Sequence, residues 1–146
     1  MAYNGGKQKI CEKAVLPLES IDSSSHDFNQ TVHRTLDERN KDTFWSSAGS
    51  KTSQASEWLY YRVAGEEPAW ITHVSFSIFR ARFQQNDPLY GPEKVRFSFG
   101  ILEGVFHYTT PLYSVRSTDE LQTFAVLPEV VLAKYVKVHF IGKPQL

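Results

Sequence analysis

Apolar and polar residues alternate along three stretches of this chain, and a period of two is the pattern of a β-strand with one buried face. The stretches cover residues 70–78, 94–101 and 135–140. Their apolar positions are Val74, Phe76 and Ile78, then Val95, Phe97, Phe99 and Ile101, then Val136, Val138 and Phe140. We expect these side chains, together with Leu59 and Phe124 and without the terminal Ile101, to form the hydrophobic core.

Shorter strand signals occupy much of the remaining chain, at residues 16–21, 58–63, 106–113 and 122–127. Loops rich in Ser, Asn, Asp, Gly and Pro separate them, and these residue types favour turns. No stretch has the 3.6-residue apolar period of a helix. About seven short strands with alternating faces predict an all-β fold, an antiparallel sandwich or barrel.

The chain length of 146 residues fits one domain. Residues 1–15 are polar and contain two adjacent glycines, so they are predicted to be a flexible lead-in, and residues 16–146 a single β-sandwich domain. Ten Phe, seven Tyr and three Trp give an aromatic content that suits sheet faces and sheet-on-sheet packing.

Charge and cysteine content exclude several classes of partner. Lys plus Arg equals Asp plus Glu at 16 each, whereas a nucleic-acid binder has a basic excess. Cys11 is the only cysteine, so no internal disulfide and no thiolate metal site can form. No apolar run approaches the roughly 20 residues that span a membrane, and residues 1–7 lack the apolar segment of a secretory signal. We therefore expect no nucleic-acid or membrane partner and a cytoplasmic or nuclear location.

Several segments together resemble one fold family. Residues 36–37 and 43–47 combine an aspartate, a polar turn and Thr-Phe-Trp-Ser-Ser, and residues 57–61, 121–128 and 133–138 follow in order. This set is similar to the galactose-binding-like family, also called discoidin or coagulation-factor type C domains. The resemblance implies an antiparallel jelly-roll β-sandwich.

A closer resemblance rests on Phe-Trp-Ser-Ser at 44–47, Glu-Trp-Leu at 57–59 and residues 135–143. These segments look like the C-terminal domain of a group of plant F-box proteins. That domain is expected to select protein substrates for a ubiquitin ligase, and the F-box recruits the Skp–cullin machinery. Residues 15–23 are not the amphipathic helical run of an F-box, so Skp–cullin binding is expected only through an F-box that these residues do not form. The family usually has one more strand after Gly142, so two alternatives stay open: the sandwich lacks a final strand and exposes an edge, or it closes its sheet differently.

The segment from Arg80 to Tyr90 is the main candidate binding site. It combines guanidinium forks, carboxamides and an aromatic ring, which suit hydroxyl-rich or peptide ligands. The resemblance assigns Arg82 and Asn86 to the arginine and asparagine of sugar-binding members. The alternative is a solvated loop whose arginines pair with nearby acids. The candidate ligand-binding residues are Arg80, Arg82, Gln85, Asn86, Tyr90 and, after the preceding turn, Trp70.

Other polar and aromatic groups favour structural roles. Trp45 and Trp58 are predicted to pack in the core rather than to form a sugar-stacking platform. Asp37, Asn40 and Asp42 could ligate calcium, but an Asx turn fits their spacing better. The histidines have no metal-ligand spacing, and His73 and His139 are predicted on outer strand faces. We expect no metal and no cofactor.

No Ser-His-Asp grouping, nucleophile elbow or phosphate-binding glycine loop is present, so a catalytic role has no support in the sequence. The leading hypothesis is a non-catalytic module that recognises a protein substrate for an F-box-type ubiquitin ligase adaptor. The alternative is a carbohydrate-binding module that recognises glycans. An enzyme, for example a hydrolase, is the third hypothesis.

Overall fold

The computed structural model describes residues 15–25, 32–36, 56–80, 89–126 and 130–142. These residues form antiparallel β-strands and one short 3₁₀ helix, Val32–Leu36, and the predicted all-β fold is confirmed. The strands are β1 (Leu18–Ser23), β2 (Ser56–Val63), β3 (Ala69–Ile71), β4 (His73–Phe76), β5 (Phe79–Arg80), β6 (Leu89–Tyr90), β7 (Lys94–Gly100), β8 (Tyr108–Thr109), β9 (Tyr113–Ser114), β10 (Gln122–Ala125), β11 (Val131–Ala133) and β12 (Tyr135–Ile141).

The larger layer is a six-stranded antiparallel sheet in the order β1-β2-β12-β7-β8, with β9 also paired to β7. β12 lies at its centre, and Val138 stands opposite Leu59 of β2 and Phe97 of β7. Directly opposed residues share a face of the sheet. The apolar positions of these strands therefore form one continuous inner face.

A second layer packs against this inner face. β3 pairs with β11 and β4 pairs with β10. The Thr72 carbonyl accepts a hydrogen bond from the Val126 amide at 2.9 Å, which extends the β4–β10 pairing towards β3. From this layer the Phe124 ring packs against Phe76 at 5.3 Å and against Phe97 of the larger sheet at 5.8 Å between ring centroids. The result is a β-sandwich.

The core lies between the two layers and matches the predicted set closely. Val95, Phe97 and Phe99 on β7 are its most deeply buried large side chains. The other predicted core residues that are buried are Leu59, Ile78, Phe124, Val136 and Val138. Val74, Phe76 and Phe140 are partly buried and pack against the core.

Ile101, which the predicted core leaves out, is 40% exposed although its parity continues the apolar face of β7. The chain leaves the sheet directly after Gly100, and Leu102 bridges Val105 in a tight turn. The Val105 carbonyl lies so close to Gly100 that no side chain fits there. This turn directs Ile101 away from the core.

The predicted single strand at 106–113 is also wrong. It consists of β8 and β9, which both pair with β7. Between β8 and β9, the Thr110 hydroxyl accepts a hydrogen bond from the Phe97 amide at 3.0 Å. A side chain thus takes the place of the backbone carbonyl that a regular strand would offer. Pro111 follows and has no amide to donate.

Several strand boundaries differ from those predicted: β2 begins two residues earlier than expected, and the stretch at 70–78 is divided between β3 and β4. β1 begins two residues later than expected and contains a register shift between Ser20 and Asp22. β10 ends at Ala125, and residue 127 lies outside the described residues. The lead-in and the region after Gly142 lie outside them as well, so the predicted lead-in and missing final strand stay predictions.

Candidate functional site

The candidate loop between Arg80 and Tyr90 connects two short paired strands. The backbone of Arg80 pairs with Leu89, and that of Phe79 pairs with Tyr90. The connection, residues 81–88, lies outside the described residues and carries Arg82, Gln85 and Asn86. The two strands therefore fix where this connection begins and ends.

The β5–β6 pair lies at one end of the sandwich, which we call the hairpin end. Gly91, directly after β6, is in contact with the Ile78 side chain. The Phe76 ring packs 5.5 Å from that of Phe140, and Phe140 lies opposite Val95 near the start of β7. The hairpin end is thus where β7 begins and β12 ends.

Trp70 lies at the other end. It is 65% exposed and stands opposite Leu132 of β11, so the two side chains share a face. Two residues after Leu132, the Lys134 amide donates to the carbonyl of Gly100, the last residue of β7, at 2.8 Å. The length of β7 separates the two ends by about 20 Å. The structure therefore does not bring Trp70 together with Arg80 and Tyr90.

The turn that precedes Trp70 is held by two cations. The buried Lys134 ammonium donates to the Gly65 carbonyl and, at 3.3 Å, to the Glu67 carbonyl. The Arg62 guanidinium also donates to the Gly65 carbonyl, at 3.0 Å. Gly65 has a φ of 91°, which favours glycine. These bonds fix the backbone from which β3 presents its exposed indole.

Exposed apolar side chains surround an open groove of about 380 Å³ beside Trp70. Leu102 and Val105 are 66% and 58% exposed. The groove is lined by Ile101, Leu102, Val105, His107 and Leu132. We call Trp70 and these groove residues the Trp70 surface. The sequence analysis missed it, because it assigned Ile101 to an inward face and did not single out Leu102 or Val105.

The outer face of the six-stranded sheet carries a second group of polar and aromatic side chains. Trp58 is a correction, since its ring lies on this face under the Lys137 ammonium, 4.3 Å from the ring centroid, and not in the core. The Ser98 hydroxyl bonds the Thr109 hydroxyl at 2.9 Å and the His139 Nε2 at 3.1 Å. We call this group the outer-face cluster; its members are Trp58 on β2, Arg96 and Ser98 on β7, Thr109 on β8, and Lys137 and His139 on β12.

Electrostatics distinguish this cluster from an ordinary sheet surface. Burial and, to a smaller extent, the positive charges of Arg96 and Lys137 together lower the pKa of His139 to about 4. His139 is therefore neutral near pH 7. The Arg96 Nε is buried and has no hydrogen-bond partner among the described residues.

Within the described ranges, no three His, Cys, Asp or Glu side chains are placed to hold a metal ion. In the same ranges no helix is long and apolar enough to cross a membrane. Trp45 and the possible calcium ligands Asp37, Asn40 and Asp42 lie outside the described residues.

No family model and no curated protein matches this chain. Solved structures do. The family 32 carbohydrate-binding module of Clostridium perfringens NanJ, in complex with galactose, is similar over 85% of this chain and 82% of its own, with 13% identity and a TM-score of 0.64. The family 32 module of AlyQ, in complex with 4,5-unsaturated mannuronic acid, is similar over 90% of this chain and 86% of its own, with 14% identity and a TM-score of 0.61.

The fold is the galactose-binding-like β-sandwich. The same fold occurs in an enzyme: allantoicase from Saccharomyces cerevisiae is similar over 86% of this chain and 37% of its own, with 15% identity and a TM-score of 0.57. Carbohydrate-binding modules predominate among the similar structures. The comparisons do not support the closer resemblance to plant F-box proteins.

Proposed function

We propose that this chain is a non-catalytic carbohydrate-binding module. The observation that supports this most is the shared fold, since modules solved with galactose and with unsaturated mannuronic acid are similar over 85% and 90% of the chain. This places glycan binding ahead of the adaptor function that the sequence analysis favoured.

The β5–β6 connection is the proposed sugar-binding loop. A guanidinium donates two parallel hydrogen bonds to neighbouring oxygens, and carboxamides both donate and accept, so Arg82, Gln85 and Asn86 could fix the hydroxyls of a sugar ring. Arg80 and Tyr90 flank the connection on paired strands. Tyr90 supplies a ring of the kind that stacks on the apolar face of a sugar.

A glycan array followed by calorimetry tests this function. The folded chain is expected to retain a subset of glycans, and Arg82→Ala is expected to weaken the best of them by about tenfold or more, the loss of one charge-assisted hydrogen bond. Melting curves of both proteins serve as the control for folding. If the folded wild type retains no glycan, the chain is not a carbohydrate-binding module.

Protein recognition is the second candidate, and the Trp70 surface favours it. Exposed apolar patches that contain tryptophan are typical of protein interfaces. In its most specific form, this candidate is substrate selection for a ubiquitin ligase, with Skp–cullin contact through an F-box.

Affinity capture from extract, with and without enzymatic deglycosylation, separates the two candidates. Loss of the captured proteins after deglycosylation supports glycan binding. Protein recognition is supported instead if the wild type captures the same proteins after deglycosylation and Trp70→Ala captures none of them. If deglycosylation leaves capture unchanged and the variant captures the same proteins as the wild type, the Trp70 surface is not the site of recognition.

A further inference from the structure

The outer-face cluster has the arrangement of a binding site rather than of a solvated surface. Register places His139 directly between Trp58 and Arg96, and Lys137 directly between Tyr60 and Ser98. Opposed residues in adjacent strands have side chains within contact distance on one face. Four strands therefore bring two cations, two hydroxyls, an imidazole and an indole together on a rigid sheet.

The positive charge of this cluster is not neutralised within the described part of the chain. The ion pair recorded there joins Arg62 to Glu19 at 2.7 Å, and neither residue belongs to the cluster. Of the neighbouring carboxylates, Glu57 accepts hydrogen bonds from the hydroxyls of Ser24 and Ser25. Arg96 and Lys137 consequently create a local positive potential that favours an anion.

Arg96 adds an unsatisfied donor. Its Nε is buried and has no partner among the described residues, and an unsatisfied buried donor is costly unless something binds it. A guanidinium presents its donors as a planar fork that matches the two oxygens of a carboxylate. The exposed Thr109 hydroxyl, which the buried Ser98 hydroxyl holds at 2.9 Å, could in turn bond a hydroxyl of a sugar.

We propose that the outer-face cluster binds a uronic acid residue of a glycan, with the sugar carboxylate on the Arg96 fork. This rests on the proposed glycan-binding function and adds a site on the sheet face, apart from the β5–β6 connection. The neutral His139 and the Ser98–Thr109 pair suit a ligand that carries hydroxyls beside its charge, which favours an acidic sugar over an acidic peptide.

The test is an NMR titration of the isotope-labelled full chain with glucuronate. Glucose has the same ring without the carboxylate, and acetate has a carboxylate without the ring. Signals of the His139 ring and of the β7 and β12 amides are expected to shift saturably with glucuronate, with a dissociation constant on the order of 1 mM, and at least tenfold more weakly with glucose or acetate.

Variants identify the group that binds. Arg96→Lys, which keeps the charge and loses the fork, is expected to weaken glucuronate binding by about tenfold or more. Arg62→Gln changes an arginine of the same sheet face that is already paired with Glu19, and is expected to leave binding unchanged. Should Arg96→Lys misfold, Ser98→Ala replaces it as the test variant.

Three results would overturn the proposal: no shift at His139 with glucuronate, equal binding of acetate, or equal weakening by Arg62→Gln. Its failure is distinguishable from that of the proposed function. Neutral glycans retained on the array without any glucuronate response refute the uronate site alone. Glucuronate binding at the cluster without retention of any neutral glycan refutes the β5–β6 connection as a sugar-binding loop and leaves the uronate site standing.

Discussion

At the scale of single residues, His139 is a titratable group whose environment strongly favours the neutral form. Its pKa is lowered to about 4, whereas that of an unfolded histidine is about 6.5. Between these values the unfolded chain binds a proton that the folded chain does not. We therefore expect stability to be constant in this respect above about pH 6.5 and to fall as the pH decreases towards 4.

Urea unfolding at pH 7.5 and at pH 5 measures this contribution. Because the ring is only half-buried, solvent screening limits the loss to about 1 kcal/mol. His139→Gln keeps a polar group near Ser98 without a titrating proton and should remove that part of the pH dependence. An unchanged pH dependence in the variant would show that other groups cause it, and that burial beside Arg96 and Lys137 does not hold His139 neutral.

Position 100 requires a glycine because there is no room for a side chain, and not because of its backbone conformation. The Val105 carbonyl occupies the position that a side chain would take. Gly100→Ala is therefore expected to destabilise the fold by about 2 kcal/mol or more, because backbone must move. Gly104→Ala is the matched control in the same turn, where φ is 77° and the surrounding space is open, so only about 1 kcal/mol of backbone strain is expected. Equal losses in thermal melts would contradict the packing argument.

At the scale of elements, β7 carries the core along one face until the chain turns away. Phe97 is fully buried between the sheets, so Phe97→Ala should cost about 3–5 kcal/mol. Ile101, four residues further on, is 40% exposed, and Ile101→Ala should cost less than about 1 kcal/mol. Chemical denaturation of both variants tests this directly. Comparable losses would mean that Ile101 is inside, as its parity in the sequence suggests.

The alternation of apolar and polar residues predicted the buried faces of β4, β7 and β12 well, because it follows which side of a strand packs against the core. It could not predict where β7 ends, since that depends on the Val105 carbonyl packing on Gly100. Trp58 was assigned to the core because of its residue type. The register of Trp58 with His139 instead puts its side chain on the outer face. Hydrophobicity alone does not distinguish the two faces when a lysine covers an indole.

The candidate site depended on contacts that the sequence does not contain. Trp70 and Arg80 were both candidate ligand-binding residues, but β4 carries the chain across the sandwich between the two positions. The outer-face cluster is the converse case. Arg96 and His139 are 43 residues apart and become cross-strand neighbours only through the β7–β12 register. The sequence therefore did not show that Trp70 and Arg80 lie apart, or that Arg96 and His139 lie together.

At the scale of the whole molecule, the sandwich presents two chemically different ends about 20 Å apart. The hairpin end is reached by the connection that carries Arg82 and Asn86. The other end carries the Trp70 surface and its groove. A single small glycan cannot span both ends, so at most one of the two ends binds it.

Paired substitutions at the two ends identify which one. Arg82→Ala is expected to weaken glycan binding by about tenfold or more, through loss of oriented donors. Trp70→Ala is expected to leave that affinity unchanged and, because the indole is 65% exposed, to cost less than about 1 kcal/mol of stability. Calorimetric titration of both folded variants with the best array glycan measures the effect. The reverse pattern would move the sugar to the Trp70 surface, where an exposed indole beside an apolar groove would hold the ring by stacking, and would leave the hairpin end without a role in glycan binding.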